Sequence, residues 1–326
     1  MDREKAAEHA EVFEHFGIPE QDRPEESCYD YAPVFRTTVA GTPSAVKRTR
    51  NLPAAAAIGR WTRAMADSGI GVVTPLDLPG NPALVGERVW VAYPWIPGRP
   101  YDGSVADIAA AGALLGRMHA HAHERDPELP SFEWPEHDDA DVEAEIEDLR
   151  RVLTLRAPDI AEAVLARSAP WHRSFMAETL PAIRDGELPH VAASTDFKAN
   201  NLVYTDNGPV LVDPDNADYL PRIIDLAMAA LLFHNELPSA PPRLFTPAEW
   251  QVFTDEYLAR VSLSAAEIEL WPTALRYLIT EWGTWTLVDA DEWDDWSNPH
   301  KRAFLRDLAT IEPDALSIVR IPLMDR

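Results

Sequence analysis

The chain has 326 residues, enough for one large domain or two smaller ones, and its 46% hydrophobic and 25% charged content is that of an ordinary globular protein. Its 54 acidic against 29 basic residues give a net charge of −25, a field that repels nucleic acid and anionic lipid and so argues against a basic-groove or membrane-surface function. Cys28 is the single cysteine, no apolar run approaches the ~20 residues that span a bilayer, and the charged N-terminus MDREKAAEHAEVFEHF lacks the apolar core of a signal peptide, so a cytoplasmic protein without an intrachain disulfide is expected.

In chain order, the first hundred residues read as a small α+β unit. Val34 to Ala40 and Ala45 to Thr49 are β-rich runs joined by Gly41-Thr42-Pro43, a hairpin signal. Pro53 to Asp67 reads as a helix that ends before Gly69, and Arg88 to Tyr93 as a further strand. The stretch Pro94-Trp95-Ile96-Pro97-Gly98-Arg99-Pro100 breaks all regular structure and marks the boundary between a unit 1–96 and a unit 97–326. Beyond it the chain turns helical. Ser104 followed by Asp107 has the form of a capping box, and Ile108, Ala111, Leu115, Met118 and Ala122 keep one helical face apolar. Asp141 to Leu155 is an acidic amphipathic helix, Ile160 to Ile183 is helix broken near Pro170, and Ile223 to Phe233 is apolar nearly all round and therefore buried.

A short β-rich interruption, His190 to Asp213, carries the chemistry. Asp206-Asn207-Gly208 is a tight-turn signal between the strands Leu202 to Tyr204 and Val210 to Val212. A turn centred on Asn207-Gly208 sets 204 opposite 211 and 202 opposite 213, so Asn201 and Asp213 emerge together at the open end of the hairpin. An amide oxygen beside a carboxylate is a suitable hard-oxygen pair for Mg²⁺, which binds few protein groups and leaves room for phosphate oxygens. Asp196, five residues earlier on the loop feeding the hairpin, is within reach of an incoming hydroxyl.

These residues carry a resemblance. Asp196-Phe197-Lys198-Ala199-Asn200-Asn201 resembles the D-x-x-x-x-N catalytic loop of the protein-kinase-like fold, and Leu211-Val212-Asp213 resembles the strand that delivers its second metal-binding aspartate. The later Asp225-Leu226-Ala227, and Leu115-Gly116-Arg117-Met118-His119-Ala120 after the Pro/Gly stretch, make the arrangement most similar to the aminoglycoside phosphotransferase and choline kinase family over roughly residues 30 to 235. The resemblance implies a bilobal α+β fold with a small β-rich nucleotide-binding N-lobe and a larger, mainly helical C-lobe. It implies transfer of a phosphoryl group from ATP or GTP, with Mg²⁺, to an alcohol group of a small molecule. In those terms Asp196 is the base, Asn201 and Asp213 hold the metal, and Asp225 braces the catalytic loop. Lys47 pairs with the nucleotide phosphates, Lys198 neutralises the transferred phosphoryl, and the backbone of Tyr93, Trp95 and Ile96 contacts the adenine. Lys47 and Lys198 are two of only four lysines in a chain that otherwise writes its basic residues as arginine.

The sequence departs from the family pattern in three places. Ser194 stands where a histidine is usual, the helix after Lys47 offers no glutamate to pair with it, and no G-x-G-x-x-G precedes Val34. The segment Glu25-Glu26-Ser27-Cys28-Tyr29-Asp30-Tyr31 would have to cover the phosphates, with Ser27 as its candidate contact. His119, His121 and His123 read as surface histidines rather than metal ligands. For the acceptor, Asp215, Glu281, Trp282 and Trp285 are candidates to hold a cation by charge and ring attraction. An antibiotic, a choline-like amine, an amino alcohol and a sugar all remain open. Two other functions compete: a nucleotide-binding protein of the same fold without turnover, and an aspartate-nucleophile phosphohydrolase reading Asp213-Pro214-Asp215 as its D-x-D, with Lys301 as its one downstream lysine. The sequence assigns no oligomeric state.

Overall fold

A computed structural model describes residues 3–29, 32–121 and 125–318; Asp30, Tyr31, Ala122 and His123 lie outside the described residues. The chain folds into a small sheet-rich region followed by a larger helical one. In the first, β1 (Val34–Val39), β2 (Thr42–Thr49), β3 (Ala83–Val85) and β4 (Arg88–Pro94) form an antiparallel sheet in the order β1-β2-β4-β3. A helix the sequence reading did not assign, α1 (Arg3–His15), covers this sheet: Val12, Phe13 and Phe16 are buried against Phe35 and Trp90. Between β2 and β3 runs α2 (Leu52–Asp67), started by the Asn51 side chain, which accepts the Ala54 N–H. Its Ile58, Trp61 and Met65 are buried in the main core that it shares with the helical region.

The helical region contains α3 (Val105–Ala120), α4 (Asp139–Arg156), α5 (Pro158–Ser174), α6 (Leu180–Arg184), α7 (Arg222–Leu232), α8 (Pro247–Leu258), α9 (Ala265–Leu278), α10 (Thr284–Glu292) and α11 (Pro299–Thr310). Two small antiparallel pairs interrupt it: β5 (His190–Ala193) with β8 (Asp218–Pro221), and β6 (Leu202–Thr205) with β7 (Gly208–Leu211). α5 runs straight through Pro170, and the regular ladder ends instead at a wide π-helical turn, Phe175–Thr179. Proline forfeits one backbone hydrogen bond, which a well-packed helix can absorb. Ser104 caps α3 through the Asp107 N–H, but Asp107 does not close the box. Its carboxylate takes Arg99 at 2.6 and 2.7 Å and the Asp102 N–H at 3.2 Å, tying the connecting segment to the helix.

The β6–β7 register differs from the expected one. Leu202 pairs with Leu211 and Thr205 with Gly208, so Asp206-Asn207 forms the turn and Gly208 alone takes a left-handed φ of +101°. Thr205 decides this: its hydroxyl accepts the Asn207 N–H at 3.1 Å and donates to the Gly208 carbonyl at 2.9 Å. The shift is two residues, so each side chain keeps its face, since side chains alternate with a period of two. Asn201 now lies opposite Val212, whose N–H donates to the Asn201 carbonyl at 2.9 Å, and Asp213 follows immediately.

This hairpin is wedged between the two regions. Leu211 exchanges backbone bonds with Gly71 and Val73 (3.0 and 2.9 Å), while Tyr204 exchanges them with Arg99 (3.0 and 2.9 Å). The approach demands glycine. A Cβ on Gly71 would fall 2.3 Å from the Pro209 carbonyl oxygen, and one on Gly98 2.6 Å from that of Tyr204. Gly71→Ala is therefore expected to cost roughly 1–3 kcal/mol of stability, the range for overpacking a fixed backbone. It should also lower turnover by displacing Asp213; a denaturant midpoint unchanged from wild type would show the hairpin to be less tightly gripped.

Candidate active site

The catalytic loop begins in a conformation that has to be imposed on it. Thr195 has a φ of +51°, which a β-branched residue adopts only under constraint. The constraint is Asp225 in the first turn of α7, fully buried, whose Oδ1 accepts the Thr195 N–H at 2.8 Å. The other oxygen of Asp225 lies 2.9 Å from His119 Nε2, and His119 Nδ1 lies 2.9 Å from the Tyr257 hydroxyl. His119 is thus not a surface histidine: it is buried, and its ring carries the brace from α8 through α3 to the loop. Ala199 N–H, at the far side of the loop, donates to the Phe233 carbonyl at 2.8 Å.

Held this way, Asp196 faces a cavity of about 560 Å³ that Lys198, Tyr29 and Glu236 also line. One Asp196 oxygen accepts from Asn201 Nδ2 at 2.8 Å, and the other pairs with the Lys198 ammonium at 3.1 Å. Burial pushes Asp196 up to about 6; Lys198 opposes the shift, while Glu236 and Asp213 add to it. A carboxylate with that basicity, open to a cavity, can accept a proton from a hydroxyl.

On the sheet side, Lys47 from β2 reaches Asp213 Oδ1 at 2.6 Å and Asp215 Oδ2 at 3.1 Å. Burial alone would lower the lysine, but Asp215 and Asp213 outweigh it and hold the ammonium above its ordinary range. The glutamate absent from α2 is therefore replaced, in this structure, by two acids of the segment after β7. Asp215 is buried and also accepts the Tyr93 hydroxyl at 2.5 Å. It lines neither large cavity, so its place is under Lys47 and not among acceptor contacts. The donor set fits a hard divalent ion: Asn201 commits its Nδ2 to Asp196, which leaves the oxygen end of the amide, and the Asp213 side chain remains one-third exposed.

The other expected contacts are placed as follows. The Ser27 hydroxyl donates to the Tyr29 carbonyl at 2.7 Å and accepts the Tyr29 and Val34 N–H groups, so it closes the loop on itself instead of pointing out as a phosphate donor. Trp95 spends its backbone N–H on the Pro43 carbonyl at 2.7 Å, and Ile96 packs with Val73, Val91 and Tyr93 in a small apolar cluster beside Lys47's strand. Trp282 and Trp285 line both the cavity at Asp196 and a neighbouring one of about 990 Å³; Glu281 lines the second. Glu281 sits on the π-helical turn Ile279–Gly283, where its carboxylate meets His137 Nε2 at 2.9 Å.

Residues 32–261, more than two-thirds of the chain, match the family model of the phosphotransferase enzyme family. The chain belongs to this family. It is accordingly an ATP-dependent phosphotransferase that acts on an alcohol group of a small molecule. Among solved structures it is similar to amicoumacin kinase hAmiN in complex with AMP-PNP, Ca²⁺ and Ami, at 19% identity over 93% of this chain and 96% of that one, with a TM-score of 0.62. It is also similar to a microcompartment-associated aminopropanol kinase (14% identity, 97% and 99% covered, TM-score 0.60). A third similar structure is an aminoglycoside phosphotransferase from Alicyclobacillus acidocaldarius (18%, 87% and 91%, TM-score 0.55). A search of curated proteins finds no match to the sequence. The likeness to these structures shows that the phosphotransferase has the bilobal kinase-like fold.

The family match sets the phosphohydrolase reading aside, and Lys301, the one downstream lysine of that reading, pairs with Asp295 at 2.5 Å. Two groups at the phosphotransferase's site, Glu236 and Arg50, have no counterpart among the expected contacts, and Tyr29 figures there only as part of the covering segment. Glu236 pairs with Lys198 and accepts the Tyr29 hydroxyl, which comes from the sheet-rich region, and Arg50 pairs with Asp218 between the two cavities.

Proposed function

We propose that this phosphotransferase moves the γ-phosphoryl group of ATP, or GTP, with Mg²⁺, onto a hydroxyl of a small cationic acceptor such as an antibiotic or amino alcohol. The observation that carries the reading is the convergence at one loop: Asp196 opens on a cavity, while Asn201 and Asp213 come together behind it beside Lys47. Asp196 orients the acceptor hydroxyl and takes its proton. Lys198, over the same carboxylate, balances charge where the phosphoryl group passes. Lys47 exchanges its acids for donor phosphates, and Asn201 and Asp213 hold the metal, which when bound neutralises charge on those phosphates. The backbone at Tyr93, Trp95 and Ile96 borders the adenine. In this reading residues 1–96 form the nucleotide-binding lobe and 97–326 the catalytic and acceptor lobe of a cytoplasmic enzyme.

Charge supports the cationic acceptor. In the 990 Å³ cavity Glu133, Glu145, Asp148, Asp218 and Glu281 face a single Arg50, with Trp282 and Trp285 as its ring wall. Such a lining attracts an amine by field and by cation–π contact. Among the described residues no helix is long and apolar enough to cross a membrane.

The test is a thermal-shift titration with ATP and Mg²⁺, followed by ATP consumption over a panel of hydroxylated amines and neutral sugars. Stabilisation by MgATP and turnover with amines is the expected result. Turnover with neutral sugars alone would overturn the cationic acceptor, and no response to MgATP would overturn the donor assignment.

A further inference from the structure

The helix α7 grips the catalytic loop twice, through Asp225 at Thr195 and through the Phe233 carbonyl at Ala199. Just past its end stands Glu236, with a φ of +72°. A left-handed position is costly for a residue bearing a Cβ and suits glycine, so a glutamate there needs a use for its side chain. Its use is plain in the contacts. Glu236 Oε1 takes the Lys198 ammonium at 2.9 Å, and Oε2 accepts the Tyr29 hydroxyl at 3.1 Å. Tyr29 belongs to the loop before β1, the segment that stands in place of a glycine-rich phosphate loop, and that loop is fixed to its strand by Cys28 N–H donating to the Val34 carbonyl at 2.8 Å. Burial, then Glu236, raise the Tyr29 phenol above its ordinary range, so it stays a neutral donor.

We propose that Glu236 is a positioning residue that latches the loop over the donor phosphates to the catalytic loop, one carboxylate oxygen holding Lys198 and the other holding Tyr29. The inference rests on the phosphoryl-transfer reading above for its catalytic consequence, but the latch itself is a contact between two regions of the chain. It removes the need for glycine in the covering loop. A glycine-rich loop closes through backbone N–H groups around phosphate, whereas this loop is closed from the opposite side by a tyrosine. Lys198, shared between Asp196 and Glu236, is held in place by two acids and so does not collapse onto the base alone.

Four variants test it: Tyr29→Phe, Glu236→Gly, the two combined, and Glu236→Gln. Two readouts are used on the full chain: amide hydrogen exchange of the peptide spanning 25–34, and KM for MgATP in MgATP hydrolysis without any acceptor. Tyr29→Phe and Glu236→Gly should each speed exchange and raise KM roughly tenfold, the scale of one hydrogen bond to a charged group. The double variant should be no worse than the more severe single, because both remove one contact. Glu236→Gln, whose amide keeps an oxygen able to accept the Tyr29 hydroxyl, should fall between the wild type and Glu236→Gly in both readouts. Additive effects of Tyr29→Phe and Glu236→Gly, or unchanged exchange in Glu236→Gly, would overturn the latch. If the wild type neither hydrolyses nor is stabilised by MgATP, the parent reading fails, and the exchange measurement still decides whether the latch exists.

Discussion

Asp196→Asn should fold as the wild type does, bind MgATP with nearly unchanged affinity, and lose about 10²–10⁴-fold in kcat, the contribution of a positioned base. The substitution keeps shape and the contact to Asn201, and removes only the charge and the basic oxygen. Asp225, His119 and Thr195 hold the loop without help from Asp196, so the fold does not depend on it. Steady-state kinetics together with a MgATP thermal shift separate the two effects. Undiminished turnover in Asp196→Asn would remove the base assignment outright.

A different signature is expected of Asp213→Asn. This residue is read as a metal ligand, and it is also the nearer partner of Lys47. Losing it should abolish the part of ATP stabilisation that depends on Mg²⁺ and reduce turnover by about 10³–10⁵-fold, the range for removing a charge-neutralising group from a transferring phosphoryl. Lys47 keeps Asp215, which is buried and fixed by Tyr93, so the local structure should hold. The measurement is a thermal-shift titration with ATP in the presence and absence of Mg²⁺. A variant that still gains stability from Mg²⁺ with ATP would show that the ion is held elsewhere. The pair of substitutions is diagnostic because Asp196→Asn should spare what Asp213→Asn destroys.

Short-range patterns were legible because their physics is local. The loop Asp196 to Asn201, the hairpin that follows it, the Ser104 cap and the buried face of α7 are each set within a few residues by turn chemistry, capping and periodicity. Even the register error at Asp206-Asn207 was an even slip that left every side chain on its face.

What the sequence by itself determined is therefore the inventory of the site: a loop aspartate, an amide and a carboxylate on one hairpin, and two exceptional lysines. Only the tertiary structure decided the pairings. Lys47 finds Asp213 across 166 residues and Tyr29 finds Glu236 across 207, and His119 turns inward to Asp225 across 106. The reason is that a charged side chain is paired by whichever partner packing brings within about 3 Å in a dry environment, and burial then raises the value of that pairing. No local rule contains that choice. Asp215 illustrates it: in sequence it is one more acid near the site, and in the fold it is the buried anchor beneath Lys47.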